Sequence, residues 1–91
     1  MKITIKFYQP YNNIINKSEI DIVTEKDNLN LSELIKLIIE KEPKLKEYLL
    51  SDNNEEMFRK FIVIRDNEML RFDSCINNND TLKILSPLHG G

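Results

Sequence analysis

Ninety-one residues, 41% hydrophobic and 31% charged, suffice for one small soluble domain with a single core. A net charge of −2 at pH 7 argues against the broad basic footprint with which proteins bind nucleic acid, so no direct nucleic-acid partner is expected. No apolar run approaches the roughly 20 residues that span a bilayer, and the N-terminus lacks a signal-peptide core, so no membrane contact and a cytoplasmic location are expected.

The first predicted element is "KITIKFY". Ile3, Ile5 and Phe7 fall on one face and Lys2, Thr4 and Lys6 on the other, the period of a half-buried strand. "QPYNNIINKS" reads as a connection, with Tyr11, Ile14 and Ile15 tucking back onto the core. "SEIDIVT" alternates again through Ile20 and Ile22 and closes an N-terminal hairpin. In "LNLSELIKLIIEKEP", Asn30 is a helix N-cap with Glu33 three residues on, a capping box, and Leu29 and Leu34 occupy staple positions. Leu31, Leu34, Ile35 and Ile38 form its buried stripe, and Pro43 stops the helix near Lys41. "KLKEYLL" adds a short helical turn with Leu45, Tyr48 and Leu49 inward, and "SDNNEE" reads as a polar, acidic loop.

A strand near Lys60–Arg65 follows, then a turn at Asp66 and Asn67 and a second short strand. "SCINNND" is a loop anchored by Ile76, and "TLKILS" is the last strand, with Leu82 and Ile84 on one face. The order β-β-α-β-β-β predicts an α+β fold: a mixed sheet packed on one main helix, its first and last strands parallel at the centre. The third strand is apolar on both faces, with Phe61 and Val63 on one and Ile62 and Ile64 on the other. One set is expected to meet a partner, and we assign Phe61 and Val63 to that role.

Stand-alone catalysis has little to rest on. One histidine, His89, and one cysteine, Cys75, do not make a zinc site, which needs three or four ligands, so no metal is expected. Cys75 with His89 as nucleophile and base would lack a third group to orient the ring, and Cys75 reads as a small, partly buried loop residue. Glu55 with Glu56, and Glu19 with Asp21, read as solvated surface. There is no internal glycine, so no glycine-rich phosphate loop exists. No cofactor is expected to be bound.

Both glycines of the chain are its last two residues, Gly90 and Gly91, in "SPLHGG". A glycine has no Cβ and passes through a channel too narrow for other residues. A terminal carboxylate is ionised at neutral pH and can attack the α-phosphate of ATP. Pro87 holds Ser86 extended at the root of this segment. The division that follows is a domain over residues 1–85 and a flexible tail over 86–91, in which Leu88 and His89 lead to the glycines.

"ITIKF", "LSELIKLIIEKEP", "FIVIRDNE" and above all "DTLKILSPLHGG" together resemble the MoaD/ThiS sulfur carriers and the ubiquitin-related modifiers. The resemblance covers nearly the whole chain. It implies a β-grasp, ubiquitin-like fold. It also implies an ATP-using adenylyltransferase of the ubiquitin-activating kind, which adenylates the carboxylate of Gly91 before sulfur converts it to a thiocarboxylate. Pro87, Leu88, His89 and Gly90 would enter the partner. Many relatives carry glycine in the turns that here read "RDNE" and "NNND"; Asn and Asp also tolerate left-handed geometry there. The first expectation is the sulfur-carrying small subunit of a molybdopterin synthase, with the large subunit as partner. The alternatives are a protein modifier or a carrier for tRNA thiolation or thiamine, and a β-grasp binding module without tail chemistry.

Overall fold

The alternation at the start of the chain is realised as β1 (Lys2–Phe7), with Ile3, Ile5 and Phe7 buried. The computed structural model describes residues 1–87. The connection that follows is more ordered than its asparagines suggest. After a cis Gln9–Pro10 peptide it forms a short helix, α1 (Tyr11–Ile15), which buries Tyr11 and Ile15 and ends at Asn16 in the left-handed conformation. β2 (Glu19–Val23) then pairs antiparallel with β1, Ile5 facing Ile20 and Ile3 facing Ile22.

Residues Leu29 and Asn30 form a two-residue strand, β3, that runs directly into α2 (Leu31–Lys41). The capping box is present in both directions: Glu33 N–H donates to Asn30 Oδ1 at 2.9 Å, and Asn30 N–H donates to Glu33 Oε1 at 3.0 Å. Leu31, Leu34, Ile35 and Ile38 are its buried stripe, as the spacing predicted. Pro43 opens a 3-10 turn (Pro43–Leu45), which passes into α3 (Lys46–Leu49). Leu45 and Leu49, four residues apart, point inward, whereas Tyr48 is exposed. An element this short buries only one i, i+4 line, and Tyr48 lies off it.

The run expected to be an acidic loop contains a helix, α4 (Asn54–Lys60). Asn53 caps it by accepting from Glu56 N–H at 2.9 Å. Glu55 and Glu56 sit in its first turn and Arg59 and Lys60 in its last, which suits the helix dipole. Met57 is its core anchor and is fully buried.

β4 (Ile62–Arg65) and β5 (Glu68–Met69) make the second hairpin, and β6 (Cys75–Ile76) pairs antiparallel with β3. Ile76 is buried as expected, but Cys75 is exposed, not partly buried: in a strand of two residues the side chains point opposite ways. The last strand, β7 (Thr81–Leu85), lies parallel to β1 and antiparallel to β4. The main sheet therefore runs β2-β1-β7-β4-β5, with β7 at its centre. One face packs on α2 and the shorter helices through a single buried cluster that includes Ile5, Leu34, Leu49, Met57, Phe61 and Ile84.

Among the described residues three have positive φ, none of them glycine: Asn16 (56°), Asp66 (56°) and Asn79 (68°). Asp66 opens the β4–β5 turn and Asn79 precedes β7. Asn and Asp thus supply the left-handed corners that glycine would otherwise serve. Among the described residues no helix is long and apolar enough to cross a membrane.

Candidate functional site

The segment of interest is the end of β7, and its position follows from pairing. β7 is held on both sides, by Ile84 opposite Phe7 of β1 and by Leu85 opposite Ile62 of β4. Pairing with the first strand continues beyond it, since Tyr8 N–H donates to the Ile84 carbonyl at 3.1 Å. Ser86 is buried and Pro87 half-buried, so the chain is still seated on the body two residues past the strand. Leu88, His89, Gly90 and Gly91, expected to carry the chemistry and to enter a partner, lie outside the described residues.

Two polar clusters hold the ends of this strand system in place. At the start of β7, the Asp80 carboxylate accepts from Arg65 Nη1 at 2.9 Å and from Asn77 N–H at 2.8 Å. Arg65 also donates to the Cys75 carbonyl at 2.7 Å and to Glu68 at 3.1 Å. The hydrogen bond to Asp80 is the main reason the Arg65 guanidinium is held above its ordinary pKa; partial burial opposes this and Glu68 adds to it. The loop before β7 is further pinned to β1, because Thr4 N–H donates to the Asp80 carbonyl and Asn79 N–H to the Lys2 carbonyl. At the other end, Tyr11 Oη donates to the Lys60 carbonyl at 2.7 Å. That bond ties α1 to the residue two before β4, next to the exit of β7. Tyr11 is only 2% exposed, and burial pushes its phenol up to about 12.

Phe61 and Val63, the pair assigned to a partner, are both 0% exposed and belong to the core. That assignment is corrected: a strand apolar on both faces gives no sign of which face the helices cover, and here they cover this one. The outward set is Ile62 and Ile64, each partly exposed. In register with them stand Leu85 across from Ile62, and Lys83 and Met69 on either side of Ile64. Tyr8, one residue past β1, is also exposed. The outer face of the sheet is therefore apolar beside the point where β7 hands over to Ser86 and Pro87.

Other chemistry is sparse among the described residues. No group of three or more His, Cys, Asp and Glu side chains is arranged to hold a metal ion. Glu55 and Glu56 belong to the start of α4, where Glu55 pairs with Arg59 and Glu56 accepts from Asp52 N–H. Asp21 accepts from Thr4 Oγ1 at 2.9 Å. An open groove of about 690 Å³ runs between α3 and α4, but its wall alternates Lys46, Glu47, Asp52, Glu56 and Lys60 and offers no set of converging catalytic groups.

A mixed sheet with parallel terminal strands at its centre, grasping one main helix, defines the β-grasp or ubiquitin-like class. Solved structures bear this out. Over the full length of both chains, the chain matches the crystal structure of SAMP1 from Haloferax volcanii with a TM-score of 0.83 at 14% identity. It matches a putative molybdopterin converting factor, subunit 1, from Pyrococcus furiosus at a TM-score of 0.77 and 15% identity, over 96% of this chain and 98% of that one. The small archaeal modifier protein SAMP1 from Methanosarcina acetivorans matches at 0.71 and 17% identity, over 99% and 96%. These are ubiquitin-like proteins of the MoaD/ThiS type, and at such identities what is shared is the fold. No family model matches the sequence, and no curated protein matches it.

Proposed function

We propose that this chain is a ubiquitin-like sulfur carrier whose Gly91 carboxylate is the substrate of a partner adenylyltransferase. The observation that carries the reading is the placement of β7. A central strand, hydrogen-bonded on both sides, delivers "SPLHGG" from a fixed point beside an exposed apolar sheet face. The body then serves as a handle that the partner grips while the glycines enter its active site.

The chemistry proceeds in two displacements. The Gly91 carboxylate oxygen attacks the α-phosphorus of ATP, and pyrophosphate leaves with the electron pair of the broken P–O bond. The acyl-adenylate so formed is attacked at its carbonyl carbon by a sulfur nucleophile at the sulfide level, and AMP leaves. The product is a thiocarboxylate; its sulfur attacks an electrophilic carbon of the acceptor as that carbon's leaving group departs, and water then cleaves the acyl–sulfur bond, leaving sulfur on the acceptor and restoring the carboxylate with the water oxygen. ATP is bound by the partner. The first pathway we assign is molybdopterin synthesis, with the synthase large subunit as the docking partner and acceptor site; the similarity to a molybdopterin converting factor supports it. A second reading, attachment of the activated Gly91 carbonyl to protein lysines, is favoured by the two modifier proteins among the structural matches described.

The test is intact-mass measurement after incubation with the adenylyltransferase of the same organism, ATP and a sulfide source. The expected result is replacement of one oxygen by sulfur, abolished by deletion of Gly91. No gain in the wild type, with an adenylyltransferase shown to be active on another carrier, overturns the proposal. Lysine-linked adducts in cells would select the second reading, and co-purification with the synthase large subunit the first.

A further inference from the structure

Charge on the outer sheet face is arranged in a way that folding alone does not favour. Lys6 of β1 and Lys83 of β7 are register partners in the two central strands. Both point outward, because Ile5, Phe7, Leu82 and Ile84 on either side of them are buried. Neighbouring strands lie about 4.8 Å apart, and like charges directly opposite each other destabilise a sheet. Among the described residues neither lysine has an ion-pair partner, although seven ion pairs form elsewhere among them. Glu19 is the register neighbour of Lys6 on β2 but makes no ion pair with it, and Asp21 is engaged by Thr4 and Lys2. On its other side Lys83 faces Ile64, with Met69 beyond. Two cations without an ion-pair partner among the described residues therefore sit side by side in a chain whose net charge is −2, with Glu19 across from Lys6 and Ile62, Ile64, Leu85 and Met69 beyond Lys83.

Resting on the reading of this face as the one gripped during tail activation, we propose that the partner presents a carboxylate side chain within an apolar surround, seated against Lys6 and Lys83. The apolar border selects a protein surface over a polyanion. Nucleic acid would need a longer track of cations than two, with no apolar rim. A carboxylate between two desolvated lysines forms charge-assisted hydrogen bonds, and it relieves the repulsion that the free protein carries.

The test is steady-state ATP–pyrophosphate exchange by the adenylyltransferase of the same organism, with the full chain as varied substrate. Lys83→Glu places opposite charges across β1 and β7, so its melting temperature should equal or exceed that of the wild type. Its KM should nevertheless rise at least about tenfold, with kcat unchanged, since a like charge now meets the partner's acid. Lys36→Glu, on α2, should leave KM unaltered. Lys83→Gln, which keeps the length of the side chain, should raise KM about threefold and stands in if the reversal fails to fold. A KM within twofold of wild type for folded Lys83→Glu overturns the proposal. So does a wild-type dimer that Lys83→Glu disperses, because the occupant would then be a second copy. If the wild type supports no exchange at all, the activation reading itself falls and this inference falls with it; exchange with unchanged KM removes only the inference.

Discussion

Removing one oxygen from Tyr11 should change the alkaline behaviour of the whole domain. Tyr11 is buried and its hydroxyl donates to the Lys60 carbonyl at 2.7 Å. Tyr11→Phe keeps the ring and leaves that carbonyl without its partner, at a cost of about 1–2 kcal/mol near neutral pH. The hydroxyl also titrates abnormally, because burial raises its pKa from 10.0 to about 12. In the unfolded chain the phenol ionises near pH 10, while in the fold it stays neutral until about pH 12. The unfolded state thus binds fewer protons in this window, and stability falls as pH rises. The contribution is intact below pH 10 and lost by about pH 12, a total of roughly 3 kcal/mol at 1.36 kcal/mol per pH unit. The Phe variant has no such loss from this position. Its deficit should therefore shrink by about 1.4 kcal/mol between pH 9 and pH 11, bringing the two proteins to near-equal stability around pH 11. Urea unfolding at each pH, followed by far-UV circular dichroism, measures this difference directly. A gap that stays constant from pH 9 to pH 11 would refute the account of Tyr11.

Further substitutions test the elements that position β7. Asn30→Ala removes the side-chain half of the α2 capping box and should cost about 1 kcal/mol by urea unfolding; a cost below about 0.3 kcal/mol would show that tertiary packing alone sets the start of the helix. Phe61→Ala should cost about 3–5 kcal/mol, because the ring is fully buried; near-native stability would contradict its place in the core. Asp80→Asn weakens the clamp on Arg65 and should cost about 1–2 kcal/mol, with amide exchange accelerated over residues 77–82. Protection unchanged at Thr81 and Leu82 would mean that the clamp does not hold the start of β7.

The parts of this structure that were legible in the sequence are those specified locally. α2 carries its own start signal in Asn30 and Glu33, its own stop in Pro43 and a four-residue apolar stripe, and all three are realised. β1, β2 and β7 alternate with period two, and their buried residues are the expected ones. What escaped is decided by tertiary context or by signals too weak to outweigh composition. α4 was hidden in a polar run, although Asn53 followed three residues later by Glu56, with Met57 beyond, is the same start signal as in α2. α1 is a single turn with two buried residues, too short to show a period. β3 and β6 have two residues each, so alternation cannot reveal them. Phe61 and Val63 face the core rather than a partner, and the run 61–64, apolar on both sides, does not reveal it; the helices packed on the sheet distinguish the two faces. The tail stood out for the opposite reason: a chain that turns its corners at Asn16, Asp66 and Asn79 without glycine keeps both its glycines for one place.

The central position of β7 also bears on how the molecule comes together in time. Among the described residues the β1–β2 and β4–β5 hairpins share no edge, and β7 joins them. Residues 81–85 are synthesised after everything else in the sheet, so until they are added the β1–β2 and β4–β5 pairs each keep an open edge where β7 will lie. Pairing residues 4–7 with 81–84 closes a loop that spans nearly the whole domain, which makes the step slow and late. The strand that completes the sheet is the one that leads into "SPLHGG". Seating Ser86 and Pro87 on the body and finishing the fold are thus a single event, because both wait for residues 81–85 to enter the sheet between β1 and β4.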